Sequence, residues 1–412
     1  MLYIALLLCL LGCIYIYDIR RYGRGRNVVF LMLLVAFTAM AGFRYRLGYD
    51  TTAYEEHYQM ILDGAPVRVN LQQRIGPGFR WLFHAMAAIS LDFIWVQILT
   101  AAVINIAVFR FARRFAKNLF LFLTFYFIFL YFQLSFQVIR EAMAVSILLI
   151  SWPLMVKGKW LRYYLLAALA IVFHHAAAFM LFLPVCFLPR VRNLFRLNLW
   201  ALPMIAASVL AGVIFNRYFA EIMNAVAFLS PSMKHFGNIY SDTAFSGMIL
   251  NWKGVTANVI LRMIYPAAAL FLLLDNQRRK ASAVSGVEKI EEQRQYLGRL
   301  EIMVMAGIYI SAAAIPVHIL SRYIDYMAFF MLLPVANAAF SEVGLLKRFR
   351  RQADIIWTLA LIPFLFLGIY NFFTPEESYP QLRHYRQYYP YSSRFNPVSD
   401  EQRERLYHAI ED

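Results

Sequence analysis

Apolar runs long enough to cross a bilayer, roughly 20 residues or somewhat fewer where neighbouring helices support them, recur along nearly the whole chain. They fall at residues 2–18, 28–43, 93–110, 119–134, 138–156, 162–174, 176–189, 199–218, 253–274, 301–318, 324–341 and 353–373. Short polar clusters separate them. The pattern predicts an all-α polytopic membrane protein of about twelve transmembrane helices.

Charge then orients the spans. Basic residues gather at Arg20–Arg26, Arg110–Lys117, Lys157–Arg162, Arg190–Arg196, within 276–299, and in KRFRR at 347–351. Such clusters flank spans on the cytoplasmic side. Residues 44–92 then emerge outside, and only an odd number of spans can join them to the cytoplasmic Arg110–Lys117 cluster, so one apolar stretch ahead of that cluster must not cross. That stretch is Gly76–Ser90, which is short and opens on Gly-Pro-Gly. It is expected as an amphipathic helix lying in the interface. A first large external loop over about 44–92 and a second over about 219–251 follow from the same parity. Residues 1–373 form a single transmembrane helical domain, and a tyrosine-rich tail over 374–412 is expected outside. Leu2–Tyr17 lacks a basic leading region and a small-residue cleavage site, and arginines follow it, so it is expected to be retained as a span. The stretch 276–299 is expected to be mobile, and no internal repeat is evident.

Composition agrees: 61% of the 412 residues are hydrophobic, 17% aromatic and only 16% charged. The net charge of +16 sits in the loop clusters, so nucleic-acid binding is not expected. Cys9, Cys13 and Cys186 lie inside apolar runs without metal-ligand spacing. No HExxH or CxxC pair, P-loop or GxGxxG motif points to a metal or nucleotide site.

The densest chemistry lies just past the second span, in GFRYRLGYDTTAYEEHY from Gly42 to Tyr58. Arg44, Arg46, a Gly48-Tyr49-Asp50 turn, Tyr54 and Tyr58 stand where the chain leaves the hydrocarbon. Polar groups there are costly and mark a candidate site. Snorkelling arginines and an interfacial tyrosine belt would account for Arg44, Arg46 and Tyr45, but not for Gly48 beside Asp50. By the same topology Arg74, Arg80, Gln137, Arg140, His174, Asp242, His318, Arg322, Tyr323 and Asp325 collect on the outer face. Guanidinium forks suit phosphate oxygens. Arg140 could instead pair with Glu141, and Arg322 with Asp325 three residues on. His174 and His175 meet between two half-length segments and could be packing residues.

These stretches, with GPGFRWLF, SFQVIREAMAVSI, LAIVFHHAAAFMLFLP and the SRYIDY corner in that order and spacing, resemble the EpsG family up to about residue 345. That family comprises bacterial multi-spanning exopolysaccharide or capsule polymerases, similar in role to the Wzy O-antigen polymerases. The resemblance implies polymerisation of oligosaccharide repeat units carried on undecaprenyl pyrophosphate, at the outer face of the bacterial cytoplasmic membrane. It also implies a GT-C-like architecture with interfacial helices in the first external loop, and membrane lipids and chain-length regulator proteins as partners. Matching family positions are Arg44, Gly48, Asp50, Tyr54, Arg140, His174, Arg322 and Tyr323. The tail after Phe373 departs from the expected family core.

The expected chemistry is glycosyl transfer between two lipid-linked sugars, with negative charge building on the departing pyrophosphate. Asp50 or His174 would accept the proton of the attacking hydroxyl. Arg140 and Arg322, with Arg44, would stabilise the leaving group, and Arg46, Tyr54 and Tyr323 complete the expected substrate-binding set. Metal dependence stays open, since Asp50 with Asp242 could hold a divalent cation. Two other classes compete: a flippase or transporter of lipid-linked sugars, and a membrane acyltransferase that modifies surface polysaccharide. A transporter would want a cation-lined path through the midplane, and an acyltransferase gives no reason for the acidic first loop.

Overall fold

The computed structural model describes residues 2–66, 75–218, 221–222, 225, 289–316, 320–338, 387–398, 401 and 403. Among these residues the secondary structure is helical, apart from isolated β-bridges pairing Ser393 with Arg44 and with Asn396. Two compact units are present. One is built from Met1–Leu154, Lys159–Ala178 and Phe349–Asp412, the other from Met155–Gly158 and Phe179–Arg348.

The first unit opens with α1 (Leu2–Cys13), which continues as a π-helical turn over Ile14–Ile19, and α2 (Arg26–Gly42). Next come α3 (Tyr49–Leu62), α4 (Pro77–Ala87) and α5 (Phe93–Phe115). Then follow α6 (Leu119–Tyr126), α7 (Ile139–Val156) and α8 (Trp160–Phe173). Leu2–Ile19, Phe93–Phe115 and Ile139–Val156 are each long and apolar enough to cross a membrane. Arg26–Gly42, Leu119–Tyr131, Trp160–Phe173, His175–Phe187 and Ala201–Arg217 are shorter apolar helices. The chain is a multi-pass membrane protein.

Two of the basic clusters meet at one end of this unit. Arg21 Nη1 donates to the Lys117 carbonyl at 3.5 Å, and the Arg113 guanidinium lies 5.6 Å from the Phe30 ring centre. Fully buried Asp18 accepts the Leu121 N–H at 2.8 Å, satisfying one of the orphan donors that open α6. At the opposite end α2 stops at Gly42, and α6 gives way to π-helical turns over Phe127–Tyr131 and Gln133–Gln137. Widened turns leave backbone groups that side chains must satisfy, and they recur near functional sites. The segment is tied to its neighbours by tyrosines: Tyr126, just ahead of the turns, donates to Asn105 Oδ1 on α5 at 3.1 Å, and Tyr131, in the first of them, donates to the Phe37 carbonyl of α2 at 2.5 Å.

The second unit contains α9 (Ala201–Arg217), α10 (Lys289–Ala314) and α11 (Ser321–Ala338), with α10 packed against both others. A Cβ at Gly212 would stand 2.2 Å from the Ala313 carbonyl oxygen, so only glycine allows α9 to come this close to the end of α10. Glu301 accepts the Leu197 N–H at 3.1 Å, and Tyr309 donates to the Leu194 carbonyl at 2.6 Å.

Several elements differ from the sequence pattern. Gly48-Tyr49-Asp50 is not a free turn: Tyr49 and Asp50 open α3, where an acid in the first turn favours the helix. The part of 276–299 expected to be mobile is helical from Lys289 onward, because it begins α10. The Gly76–Ser90 stretch forms α4, with Pro77 in its first turn as a helix start favours. The apolar runs at 253–274 and 353–373, most of the second external loop with Asp242, and Arg74, His318 and the 347–351 cluster lie outside the described residues.

Candidate functional site

The link between α2 and α3 is built around Arg44. Its side chain is wholly buried, with Nη1 donating to the Ala41 carbonyl at 2.5 Å and Nη2 to Thr51 Oγ1 at 3.3 Å. Its guanidinium also lies 5.5 Å from the Phe136 ring centre. Thr51 Oγ1 is within 2.9 Å of the Leu47 carbonyl and 3.0 Å of the Phe136 carbonyl. Gly48 has φ +90°, and a Cβ there would stand 2.2 Å from the Phe136 carbonyl oxygen. Both the backbone and the space demand glycine. The start of α3 is thereby pressed onto the Phe136–Gln137 backbone, which leads directly into α7.

This contact brings three of the predicted residues together. Asp50 and Tyr54, one turn apart on α3, are joined by the Tyr54 hydroxyl donating to Asp50 Oδ2 at 2.9 Å. Arg140, in the first turn of α7, donates from Nε to the same Tyr54 oxygen at 2.7 Å. Its guanidinium lies 5.4 Å from the Tyr54 ring centre. Asp50 and Arg140 are half-buried, whereas Tyr54 is 3% exposed. Burial pushes the Tyr54 phenol well above its ordinary range; Arg140 opposes this and the Asp50 carboxylate reinforces it. The phenol keeps its proton at neutral pH, as its donation to Asp50 requires. A carboxylate and a guanidinium thus flank one buried hydroxyl, each with surface left to meet another molecule.

His174 ends α8 with an extended backbone, is 5% exposed, and stacks on exposed His175 with ring centres 5.0 Å apart. The Gly-Pro-Gly of α4 explains how the rest of the loop reaches it. Cβ atoms at Gly76 and Gly78 would stand 3.0 Å from the Phe173 and Val172 carbonyl oxygens, so the bare backbone of α4 rests on the last turn of α8. Phe79 contacts both Phe173 and Tyr54, with ring centres 6.0 Å apart in each pair. An aromatic bridge therefore connects the Tyr54 group with the helix end that carries His174.

The other expected residues are placed differently. Arg46 is half-buried with φ +49°, in the left-handed region. Arg322 and Tyr323 lie in the second unit, half-buried in the first turn of α11, where Tyr323 meets Phe179 at 5.3 Å between ring centres. His57, on the α3 face one turn beyond Tyr54, was not among the expected site residues. It is buried against Phe83, and burial, with His84 and Arg80 adding to it, lowers its pKa below the ordinary 6.5.

The tail supplies contacts that the sequence pattern did not signal. Tyr45 N–H donates to the Ser392 carbonyl at 2.9 Å and Arg394 N–H to the Phe43 carbonyl at 3.0 Å. The Arg394 side chain pairs with Glu55 on α3. Gly48 N–H donates to the Gln387 carbonyl at 3.3 Å, and the side-chain amides of Gln387 and Gln137 are paired. Residues 387–398 thus lie against the link that carries Arg44.

Among the described residues no three His, Cys, Asp or Glu side chains are grouped to hold a metal ion. Asp50 alone is half of the pair expected for a divalent cation, since Asp242 lies outside them. No curated protein and no solved structure matches the chain. The EpsG family model matches residues 27–393. That range takes in the Asp50, Tyr54 and Arg140 group, His174, and the tail as far as Ser393, so the family core extends past residue 345 and the tail does not stand apart from it. By that match across most of its length, the chain belongs to the EpsG family.

Proposed function

We propose that the protein polymerises oligosaccharide repeat units, carried on undecaprenyl pyrophosphate, into exopolysaccharide or capsule at the outer face of the bacterial cytoplasmic membrane. Family membership supports a polysaccharide polymerase of the membrane. The single observation that carries the chemistry is the Tyr54 hydroxyl held between Asp50 and Arg140. Glycosyl transfer from a pyrophosphate needs a base for the acceptor and cationic hydrogen-bond donors for the leaving group, with no general acid.

In this mechanism an acceptor hydroxyl attacks the anomeric carbon of the donor as the bond from that carbon to the pyrophosphate oxygen breaks. The hydroxyl proton passes to Asp50. One Asp50 oxygen takes the Tyr54 hydroxyl, and a carboxylate has a second to receive a proton. Arg140 turns its terminal nitrogens to the pyrophosphate while Nε stays on Tyr54, so charge is stabilised where it develops. Undecaprenyl pyrophosphate leaves and the glycan is longer by one unit. Tyr54, expected to bind substrate, is assigned instead to holding base and cation in register, because its hydroxyl is buried between them. Arg44, also expected at the substrate, is assigned to supporting the link through Ala41 and Thr51. His174 is the alternative base, and Arg46, Arg322 and Tyr323 are further substrate contacts. The twelve-span, GT-C-like arrangement and the chain-length regulator partners belong to the same proposal.

The test uses detergent-purified full-length chain and lipid-linked repeat units extracted from a strain lacking it. A ladder of chain lengths supports the polymerase. Units moved across a vesicle without elongation would identify a transporter, and units that gain only acyl mass an acyltransferase.

A further inference from the structure

Gln387 is fully buried and occupies the junction that sets the site's geometry. Its carbonyl accepts the N–H of Gly48, the residue before α3, and its side-chain amide pairs with that of Gln137, two residues before α7. Asp50 stands two residues into α3 and Arg140 two residues into α7. One residue from the far end of the chain therefore ties together the two helix starts that carry the proposed base and the proposed leaving-group cation. The adjoining segment is anchored independently. Tyr388 packs on Phe132 and Phe136 with ring centres 5.3 and 6.0 Å away, and its carbonyl accepts the Tyr3 hydroxyl at 2.7 Å. Tyr391 donates to the Met40 carbonyl at 3.0 Å, and Arg403 Nη2 to the Pro390 carbonyl at 2.7 Å.

We infer that Gln387 is a positioning residue, which fixes the register of Asp50 against Arg140 by pairing with Gln137. Its catalytic consequence rests on the polymerase proposal above. Gly48 is already pressed onto Phe136, so contact between the two segments survives loss of the amide pair. Their relative rotation and slide do not, and a reacting group displaced by about 1 Å can lose on the order of a hundred-fold in rate.

The experiment uses the full chain and three variants: Gln387→Met, Gln137→Met, and both together. Methionine keeps the side-chain length, so each variant retains its packing. Removing one amide takes from the other its partner across the junction, whereas replacing both with apolar groups of similar shape restores much of the stability. Hydrogen exchange of peptides covering 43–62 and 136–145, thermal unfolding in detergent, and turnover and KM with extracted undecaprenyl-pyrophosphate-linked repeat units are measured together. The expected result is faster exchange in both peptides for every variant. Turnover should fall at least about ten-fold with KM changed less than about three-fold, and the double variant should regain unfolding temperature without regaining turnover. Unchanged exchange in Gln387→Met overturns the inference, as does turnover that recovers with stability in the double variant. Should the parent chain make no polymer while exchange rises in the variants, the polymerase assignment fails and the register-setting pair stands.

Discussion

Replacing Tyr54 with Phe removes one oxygen and leaves the ring, so it isolates the bridge between Asp50 and Arg140. The Phe79 contact and the Arg140 guanidinium over the ring both survive, and no sizeable cavity forms. Two hydrogen bonds are lost, at 2.9 and 2.7 Å, each to a charged group. Such bonds contribute about 1.5–3 kcal/mol each when buried. Asp50 and Arg140 are half-buried, so water replaces part of what they lose, and we expect the two bonds together to cost about what one fully buried bond would, about 1.5–3 kcal/mol. The effect on rate should be larger than this suggests. Base and cation lose their common tether, and turnover should fall about 10- to 100-fold with little change in KM. Protein level in the membrane, the unfolding temperature in detergent, and initial rates on extracted lipid-linked units measure the two effects separately. A Tyr54→Phe protein that polymerises at the parent rate would refute the positioning role, whatever its stability.

Gly48→Ala should be among the most disruptive small substitutions, costing more than about 3 kcal/mol because strain at φ +90° adds to a 2.2 Å clash with the Phe136 carbonyl; its yield of folded protein in membranes checks this. Arg140→Lys keeps the charge but cannot hold Tyr54 through Nε while presenting a fork, so turnover should drop at least about ten-fold; parent activity would reduce Arg140 to an ion-pair partner. His57 has a pKa below its unfolded 6.5, so the unfolded chain binds the extra proton first. Its contribution is full above 6.5 and is lost as pH falls below that value. His57→Gln should therefore flatten part of the decline in unfolding temperature between neutral and acidic pH, and an identical decline would remove His57 as a contributor.

How far the site could be read from the sequence depends on the kind of signal each residue carries. Asp50 and Tyr54 are four apart, and Arg140 is a charge at the head of an apolar run, so composition and local spacing single them out. Their convergence on one hydroxyl is not local. Glu141 beside Arg140 suggested an ion pair, and the contact with Tyr54 arises only because Gly48 lets α3 reach the backbone ahead of α7. Arg44 is a different case. Its sequence position points to a substrate contact, whereas its burial and its bonds to a main-chain carbonyl and a threonine depend on the fold and leave no trace in the local pattern. The residues 387–398 have neither period 3.6 nor alternation, so nothing in their pattern announces that they pack on a link more than three hundred residues earlier. The helical outline was legible because apolar runs of spanning length have few alternatives. The π-helical turns after Tyr126 were not, since residues 127–137 continue the same apolar and aromatic run, and the contact that ties Ser135 back to Tyr126 is made only once the chain has folded.

The most direct test of the central claim is the chain-length distribution made by purified Asp50→Asn protein beside the parent. An asparagine oxygen can still accept the Tyr54 hydroxyl that Asp50 Oδ2 holds at 2.9 Å, so the fold and the amount of protein in the membrane should be preserved. It cannot take a proton from an attacking sugar. The account predicts a full ladder of polymer from the parent and only unextended lipid-linked units from Asp50→Asn. A normal ladder from Asp50→Asn would contradict it, remove Asp50 from the chemistry, and leave His174 as the next base to test.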